Sequence, residues 1–151
     1  MTAVSAPQGL RIVSYLTGRL GNTIGAGECW DAAENAIKDI GAARPGSDLY
    51  VWGTVVQHAD LQPGDILQFS QFTVTVTQDD GSWEQNSFGA PRHTAIVESI
   101  NSDGSVNILQ QNYGGQRTVQ QMSNVFLSSG SAGSATVTTS GSVTRYRPQV
   151  P

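Results

Sequence analysis

The sequence predicts an α+β fold in which N-terminal helices pack on an antiparallel β-sheet. Apolar residues recur at helical spacing near the start of the chain, and they alternate with polar residues from Ile66 onward. The chain has 151 residues, the usual size of one domain, and its 17 glycines favour short strands joined by tight turns. We therefore expect a single domain over residues 1–151, with helices first and strands after them.

Two helices are predicted in the N-terminal third of the chain. The apolar stripe of the first consists of Leu10, Val13, Leu16 and Leu20. The stripe of the second consists of Cys29, Ala33, Ala36, Ile37 and Ile40. Gly21 and Gly41 are suitable residues to end the two helices. The small alanines of the second stripe would let a sheet approach that helix closely.

The remaining chain is predicted to form strands and loops. Strands are expected at residues 66–69 and 72–77, and a hairpin is expected from 93–100 and 106–112. Residues 82–92, with Trp83 and Phe88, are predicted as a polar loop, and residues 49–56 fit either a helix or a strand. The segment 128–142 is rich in Ser, Gly and Thr, so we expect a mobile loop there, followed by a final strand.

Charge and composition argue against several classes of partner. The net charge is -4 and the basic residues are scattered, which leaves no positive patch for nucleic acid. No apolar window is long enough for a membrane span, and the N-terminal residues lack the features of a signal peptide. We expect a monomer. Its localisation stays open, and export without a signal peptide, as a phage or secretion-system effector, is one route.

Cys29 is the one cysteine of the chain and lies in the first turn of the second predicted helix. Unpaired N–H groups and the helix dipole stabilise a thiolate at such a position. Gly25 and Gly27 would leave room for a substrate backbone, and the N–H of Cys29 could help to hold an oxyanion. The alternative is a buried structural thiol, and position alone leaves both interpretations open.

His93 begins the strongest predicted strand and is the candidate general base for Cys29. Alternation places His93, Ala95 and Val97 on one face, which we expect to pack over the alanines of the second helix. An ordinary strand-end histidine bonded to a carbonyl is the alternative. The other histidine, His58, lies in a polar stretch where a solvated loop position is expected.

Gln110 and Asn112 share one side of the strand that pairs with that of His93. An amide against the far ring nitrogen would fix the tautomer and orientation of the histidine, so either residue is a candidate for this role. The alternative is that both are ordinary polar residues near a strand end, without a role at the histidine. One cysteine and two histidines so far apart give no compact ligand pair, so we expect neither a metal nor another cofactor.

Four segments together resemble the CHAP and NlpC/P60 group of papain-like cysteine amidases and peptidases. They are GECWDAA at 27–33, LQPGDILQF at 61–69, HTAIV at 93–97 and ILQQN at 108–112. The resemblance covers about residues 20–115, and it depends on the order and context of the segments together. It implies a papain-like α+β fold with N-terminal helices packed on an antiparallel sheet.

The resemblance also implies a function and a site. These families generally cut amide bonds of bacterial peptidoglycan, and Cys29 matches their nucleophile and His93 their base. CHAP domains often carry Glu-x-Asn on the next strand, where this chain has Gln110 and Asn112. Aromatic candidates for contacting a peptide substrate are Trp30, Trp83 and Tyr113. The alternatives are a toxin that cleaves or deamidates a host protein, and an inactive papain-like binding module.

Overall fold

The computed structural model describes all 151 residues and places two helices against a seven-stranded antiparallel sheet. The helices are α1 (Ala6–Thr17) and α2 (Cys29–Lys38). The strands are β1 (Thr2–Ala3), β2 (Thr54–Val55), β3 (Ile66–Thr77), β4 (Trp83–Ile100), β5 (Val106–Tyr113), β6 (Gln116–Val125), β7 (Gly130–Ala132), β8 (Ala135–Arg147) and β9 (Gln149–Val150). The predicted α+β class is confirmed.

The large sheet has the strand order β2-β8-β3-β4-β5-β6, and β7 pairs with β8. The short strands β1 and β9 pair with each other near the two ends of the chain. Two apolar clusters lie on opposite faces of the large sheet, and one of them contains the helices. Neither helix has the length and apolar character needed to cross a membrane.

Helix α1 begins earlier than its apolar pattern predicted. Ser5 caps it: the Ser5 hydroxyl accepts from the N–H of Gln8, whose side chain accepts in return from the N–H of Ser5. Ile12 and Leu16 are buried, whereas Leu10 is 55% exposed and Leu20 lies beyond the helix. The predicted stripe was therefore wrong at Leu10 and Leu20, because the helix turns its Ile12 side toward the core.

Helix α2 buries the alanines that the sequence placed on its stripe. Ala33, Ala36 and Ile37 are at most 1% exposed and pack against Ile96 and Leu109 of the sheet. The expectation that the face of His93, Ala95 and Val97 would cover these alanines was wrong, since Ala95 and Val97 lie in the opposite cluster. Small helix side chains leave space that bulky sheet residues fill, so the isoleucine face of β4 is the one that packs here.

Of the segment predicted as a polar loop, 82–92, all but the first residue is part of strand β4. It pairs with β3 from Phe72↔Phe88 to Thr77↔Trp83, beyond an irregularity between Ser70 and Phe72. Phe88 is fully buried and stacks on Phe69, with ring centroids 4.7 Å apart. The two predicted strands at 66–69 and 72–77 are accordingly one strand.

The segment predicted as a loop at 128–142 contains β7 and the first half of β8. Strand β8 pairs with β3 over most of its length, so the Ser, Gly and Thr residues here belong to the sheet. Of the undecided segment 49–56, only β2 is regular structure. The hairpin of β4 and β5 forms as predicted, with Ala95 opposite Gln110.

The Pro63-Gly64-Asp65 turn before β3 is fixed by two contacts. Asp65 is 1% exposed and forms a bidentate ion pair with Arg147 of β8, with N–O distances of 2.7 and 2.9 Å. A Cβ atom added at Gly9 would lie 2.2 Å from the carbonyl oxygen of Pro63. Helix α1 therefore crosses this turn in direct backbone contact, which only a glycine permits.

Candidate active site

Cys29 is the first residue of α2, and a glycine-containing loop leads into it. The Asp31 carboxylate accepts hydrogen bonds from the N–H groups of Ala26 and Glu28, at 3.0 and 3.1 Å. Gly25 has φ 59°, and a Cβ atom there would lie 2.7 Å from the Asp31 carboxylate. Cys29 is 8% exposed and belongs to neither apolar cluster. The thiol thus lies at the positive end of a helix rather than among core side chains.

Gln111, for which the sequence suggested no role, holds the loop before Cys29. Its side-chain nitrogen donates to the carbonyls of Ile24 and Glu28, at 3.0 and 2.9 Å, and its oxygen accepts from the N–H of Ile24 at 2.8 Å. The residue is fully buried. The loop that precedes the thiol is therefore tied to strand β5.

His93 lies on β4 with only 5% of its surface exposed, among the rings of Phe69, Phe88 and Tyr113. Its Nε2 is 2.8 Å from Oε1 of Gln110, which is itself 1% exposed. A carboxamide oxygen only accepts hydrogen bonds, so Nε2 carries the proton and Nδ1 keeps its lone pair. Burial lowers the pKa of His93, and the hydrogen bond to Gln110 raises it by less.

Cys29 and His93 line one shared cavity of about 450 Å³, together with Trp30, Tyr50 and Asn112. The Nδ1 atom of His93 has no hydrogen-bond partner within the chain. The cavity thus brings a thiol at a helix start together with an imidazole whose basic nitrogen is free. This pair of groups is suited to moving a proton from sulfur to nitrogen.

The two candidate orienting residues lie in different surroundings. Gln110 contacts the His93 ring, whereas Nδ2 of Asn112 lies 3.5 Å from the Glu28 carboxylate. Asn112 has φ 61°, so a left-handed backbone interrupts the strand alternation at this residue. Asn112 lines the cavity and makes no hydrogen bond to the ring.

The three aromatic candidates for substrate contact are not all at the cavity. Trp30 lines it, and Tyr113 lines an adjoining cavity with His93, its hydroxyl donating to Asn86 at 3.0 Å. Trp83 is 67% exposed at the far end of the β3–β4 ribbon. Trp83 precedes His93 by ten positions along the strand, roughly 33 Å of extended chain. The structure therefore does not bring Trp83 to the other site residues.

A protein-family model described as the AIM3/BBC1 cysteine proteinase-fold domain matches residues 1–133. The chain belongs to this family. No curated protein and no solved structure matches the chain. The match supports the papain-like fold that the sequence segments implied, and it does not single out the CHAP or NlpC/P60 groups within that fold.

The second histidine of this AIM3/BBC1 domain is bound on both ring nitrogens. His58 Nδ1 accepts from Nε of Arg145 at 3.2 Å, and Nε2 lies 2.9 Å from the carbonyl oxygen of Gly104. His58 therefore ties the helical turn His58–Asp60 to β8 and to the β4–β5 hairpin. It does not lie in a solvated loop. The domain contains no cluster of three or more His, Cys, Asp or Glu residues that could hold a metal ion.

Proposed function

We propose that this domain is a cysteine hydrolase that cleaves an amide bond, with Cys29 as nucleophile, His93 as general base and Gln110 as the orienting residue. One observation carries the proposal. The hydrogen bond from His93 Nε2 to Gln110 leaves Nδ1 as the free ring nitrogen of a histidine that lines the same cavity as Cys29. Nδ1 is therefore the ring nitrogen available to take the thiol proton.

The reaction follows from the position of these groups. Nδ1 of His93 takes the thiol proton, and the sulfur attacks the carbonyl carbon of the amide. N–H groups at the start of α2 hold the oxyanion, and His93 then gives its proton to the leaving nitrogen as the C–N bond breaks. Water, deprotonated by His93, hydrolyses the resulting thioester and restores the thiol. The Gln110 carbonyl oxygen accepts from Nε2–H in both the neutral and the protonated states of the ring.

Bacterial peptidoglycan is the first substrate to test, because the four sequence segments resemble those of enzymes that cut its amide bonds. The AIM3/BBC1 match supports the fold and names no bond. Substrate choice depends on the shape and charge of the cleft, so the substrate class is part of the proposal.

Mass spectrometry of purified peptidoglycan fragments incubated with the protein shows whether an amide bond is cut and which one. We expect products from the wild type and none from Cys29→Ala or His93→Ala. His58→Gln is the matched histidine control, since His58 lies outside the cavity and glutamine can keep its hydrogen bonds. Activity that survives in His93→Ala and is lost in His58→Gln would make the assignment of the base wrong.

A protein mixture incubated in parallel separates the alternatives. Cleavage or side-chain deamidation that depends on Cys29, seen only with proteins, would replace peptidoglycan by a protein substrate. If no product forms and Cys29→Ala still binds the fragments, the domain is a binding module and not a hydrolase.

A further inference from the structure

The cleft extends on both sides of the cavity that Cys29 and His93 share. One adjoining cavity of about 300 Å³ is lined by Tyr113, and another of about 270 Å³ is lined by Asp48. Arg92, which directly precedes His93 on β4, lines all three cavities. A charged side chain therefore lies where the three parts of the cleft meet.

Arg92 is the one arginine of the seven whose side chain donates no hydrogen bond within the chain. The other six donate to acceptors of the protein: Arg11, Arg19, Arg44, Arg117, Arg145 and Arg147. The Arg92 guanidinium lies over the ring of Tyr50, 4.9 Å from its centroid. Stacking of this kind holds the guanidinium plane in place and leaves its in-plane N–H groups free.

The acidic residues that line the cleft already have other partners. Glu28 forms an ion pair with Arg117 at 3.2 Å, and Asp48 accepts from the backbone N–H of Tyr50 at 2.8 Å. Arg92 forms an ion pair with neither. The guanidinium is therefore a positive charge without an ion-pair partner beside the proposed reacting groups.

We propose that Arg92 binds a carboxylate of the substrate, so that the enzyme selects amides with a carboxylate group next to the bond that is cut. A planar guanidinium with free N–H groups matches a carboxylate in a two-point, charge-assisted arrangement. This inference deepens the proposed hydrolase function and rests on it, because it assigns the substrate class of the same cleft.

Alkylation of Cys29 by iodoacetate and by iodoacetamide tests the proposal without a known substrate. In each reaction the sulfur forms a bond to the methylene carbon and iodide leaves. The two reagents differ only in that iodoacetate has a carboxylate where iodoacetamide has a carboxamide. Because the chain has one cysteine, the rate reports on Cys29 alone. The measured quantity is the iodoacetate-to-iodoacetamide rate ratio, divided by the same ratio for 2-mercaptoethanol, a neutral thiol.

We expect this normalised ratio to be about tenfold higher in the wild type than in Arg92→Gln, in which the helix N-terminus and a protonated His93 still attract iodoacetate. Arg92→Lys should keep part of the preference, because it keeps the charge and loses the fork of donors. Arg19→Gln is the matched control: it removes an arginine that also lies over a tyrosine ring, at 3.6 Å, but outside the cleft. It should keep the wild-type ratio. A ratio that Arg92→Gln leaves unchanged would overturn the inference.

Failure of the hydrolase proposal itself would show in a different measurement. Iodoacetamide alone reports the activation of Cys29 by His93, and an equal rate in wild type and His93→Ala would count against the catalytic pair whatever the ratio. Peptide pairs that differ only in Glu or Gln beside the cut amide extend the test to turnover. We expect about tenfold higher kcat/KM for the Glu peptide, abolished in Arg92→Gln. Equal kcat/KM values for the two peptides in the wild type would contradict the carboxylate preference and leave the hydrolase proposal intact.

Discussion

His93 and Gln110 lie on neighbouring antiparallel strands, and the ring Nε2 is 2.8 Å from the carboxamide Oε1. The carboxamide orients the ring as a carboxylate would, but it carries no charge to offset the cost of burying an imidazolium. Burial accordingly has the larger effect on His93 and lowers its pKa. This balance determines how variants at Gln110 should behave.

We expect Gln110→Glu to retain activity and to raise the pKa of His93, since the new carboxylate stabilises the charged ring. Gln110→Ala should lower kcat/KM by about 100-fold, because the ring loses the partner that fixes its tautomer. Asn112→Ala should cost less, as Asn112 makes no hydrogen bond to the ring. Turnover against pH and NMR titration of His93 measure these effects. A fully active Gln110→Ala beside an inactive Asn112→Ala would reverse the assignment.

The lowered pKa of His93 predicts a specific pH dependence of stability. In the unfolded chain this histidine titrates near its ordinary value of 6.5, whereas in the folded chain it takes up its proton at lower pH. Between the two pKa values the unfolded state binds more protons, so the free energy of unfolding falls as pH drops below 6.5. Below the folded-state pKa this contribution stays constant.

Urea unfolding from about pH 8 to about pH 4 in a Cys29→Ala background, where no thiolate faces the ring, measures this contribution. The quantity compared is the free energy of unfolding of Cys29→Ala minus that of the double variant Cys29→Ala/His93→Gln. This difference should shrink as the pH falls. A difference that grew toward acid pH would show that the folded chain binds the proton more tightly, contrary to the burial of the ring.

Gln111→Leu should destabilise the fold by about 2–4 kcal/mol, because it removes three hydrogen bonds of the loop before Cys29 and leaves buried backbone groups unpaired. It should also slow alkylation of Cys29 by iodoacetamide, since the start of α2 loses its attachment to β5. Gln121→Leu is the control, because Gln121 is exposed on β6 and its loss should change stability by about 0.5 kcal/mol or less. Equal stabilities of the two variants would refute the role of Gln111.

Asp65→Asn should cost about 3 kcal/mol of stability, because it leaves the Arg147 guanidinium partly buried without its carboxylate. Asp39→Asn removes a carboxylate 3.9 Å from an exposed arginine, Arg11, and should cost about 0.5 kcal/mol or less. Chemical denaturation of both variants gives the comparison. A small loss for Asp65→Asn would mean that water replaces the carboxylate at Arg147.

The sequence predicted helix α2 and the β4–β5 hairpin well, because both bury one regular face and so carry a clear apolar period. The outer half of β4 gave no such signal. Residues such as Glu84 and Gln85 are exposed, and their strand conformation comes from pairing with β3 rather than from a buried face. The start of β8 does bury Ala135 and Val137, but the many Ser, Gly and Thr residues around them resemble a linker.

The candidate site was predictable in its residue types and less so in its arrangement. Alternation grouped His93 with Ala95 and Val97, but a period of two does not say which face meets the helices. Spacing alone could not separate Gln110 from Asn112, because the left-handed backbone that turns Asn112 toward Glu28 leaves no mark in the pattern. Arg92 and Gln111 stand out only when their partners, or the lack of them, are known.

Gln110 and Gln111 are consecutive residues of one strand, and one binds the ring of His93 while the other binds the loop before Cys29. A displacement of β5 therefore acts on the partner of the ring and on the partner of the loop at the same time. A rotation about the strand axis moves them oppositely, because successive side chains point to opposite faces. The pair of glutamines thus makes the relative placement of the two groups depend on the twist of a single strand.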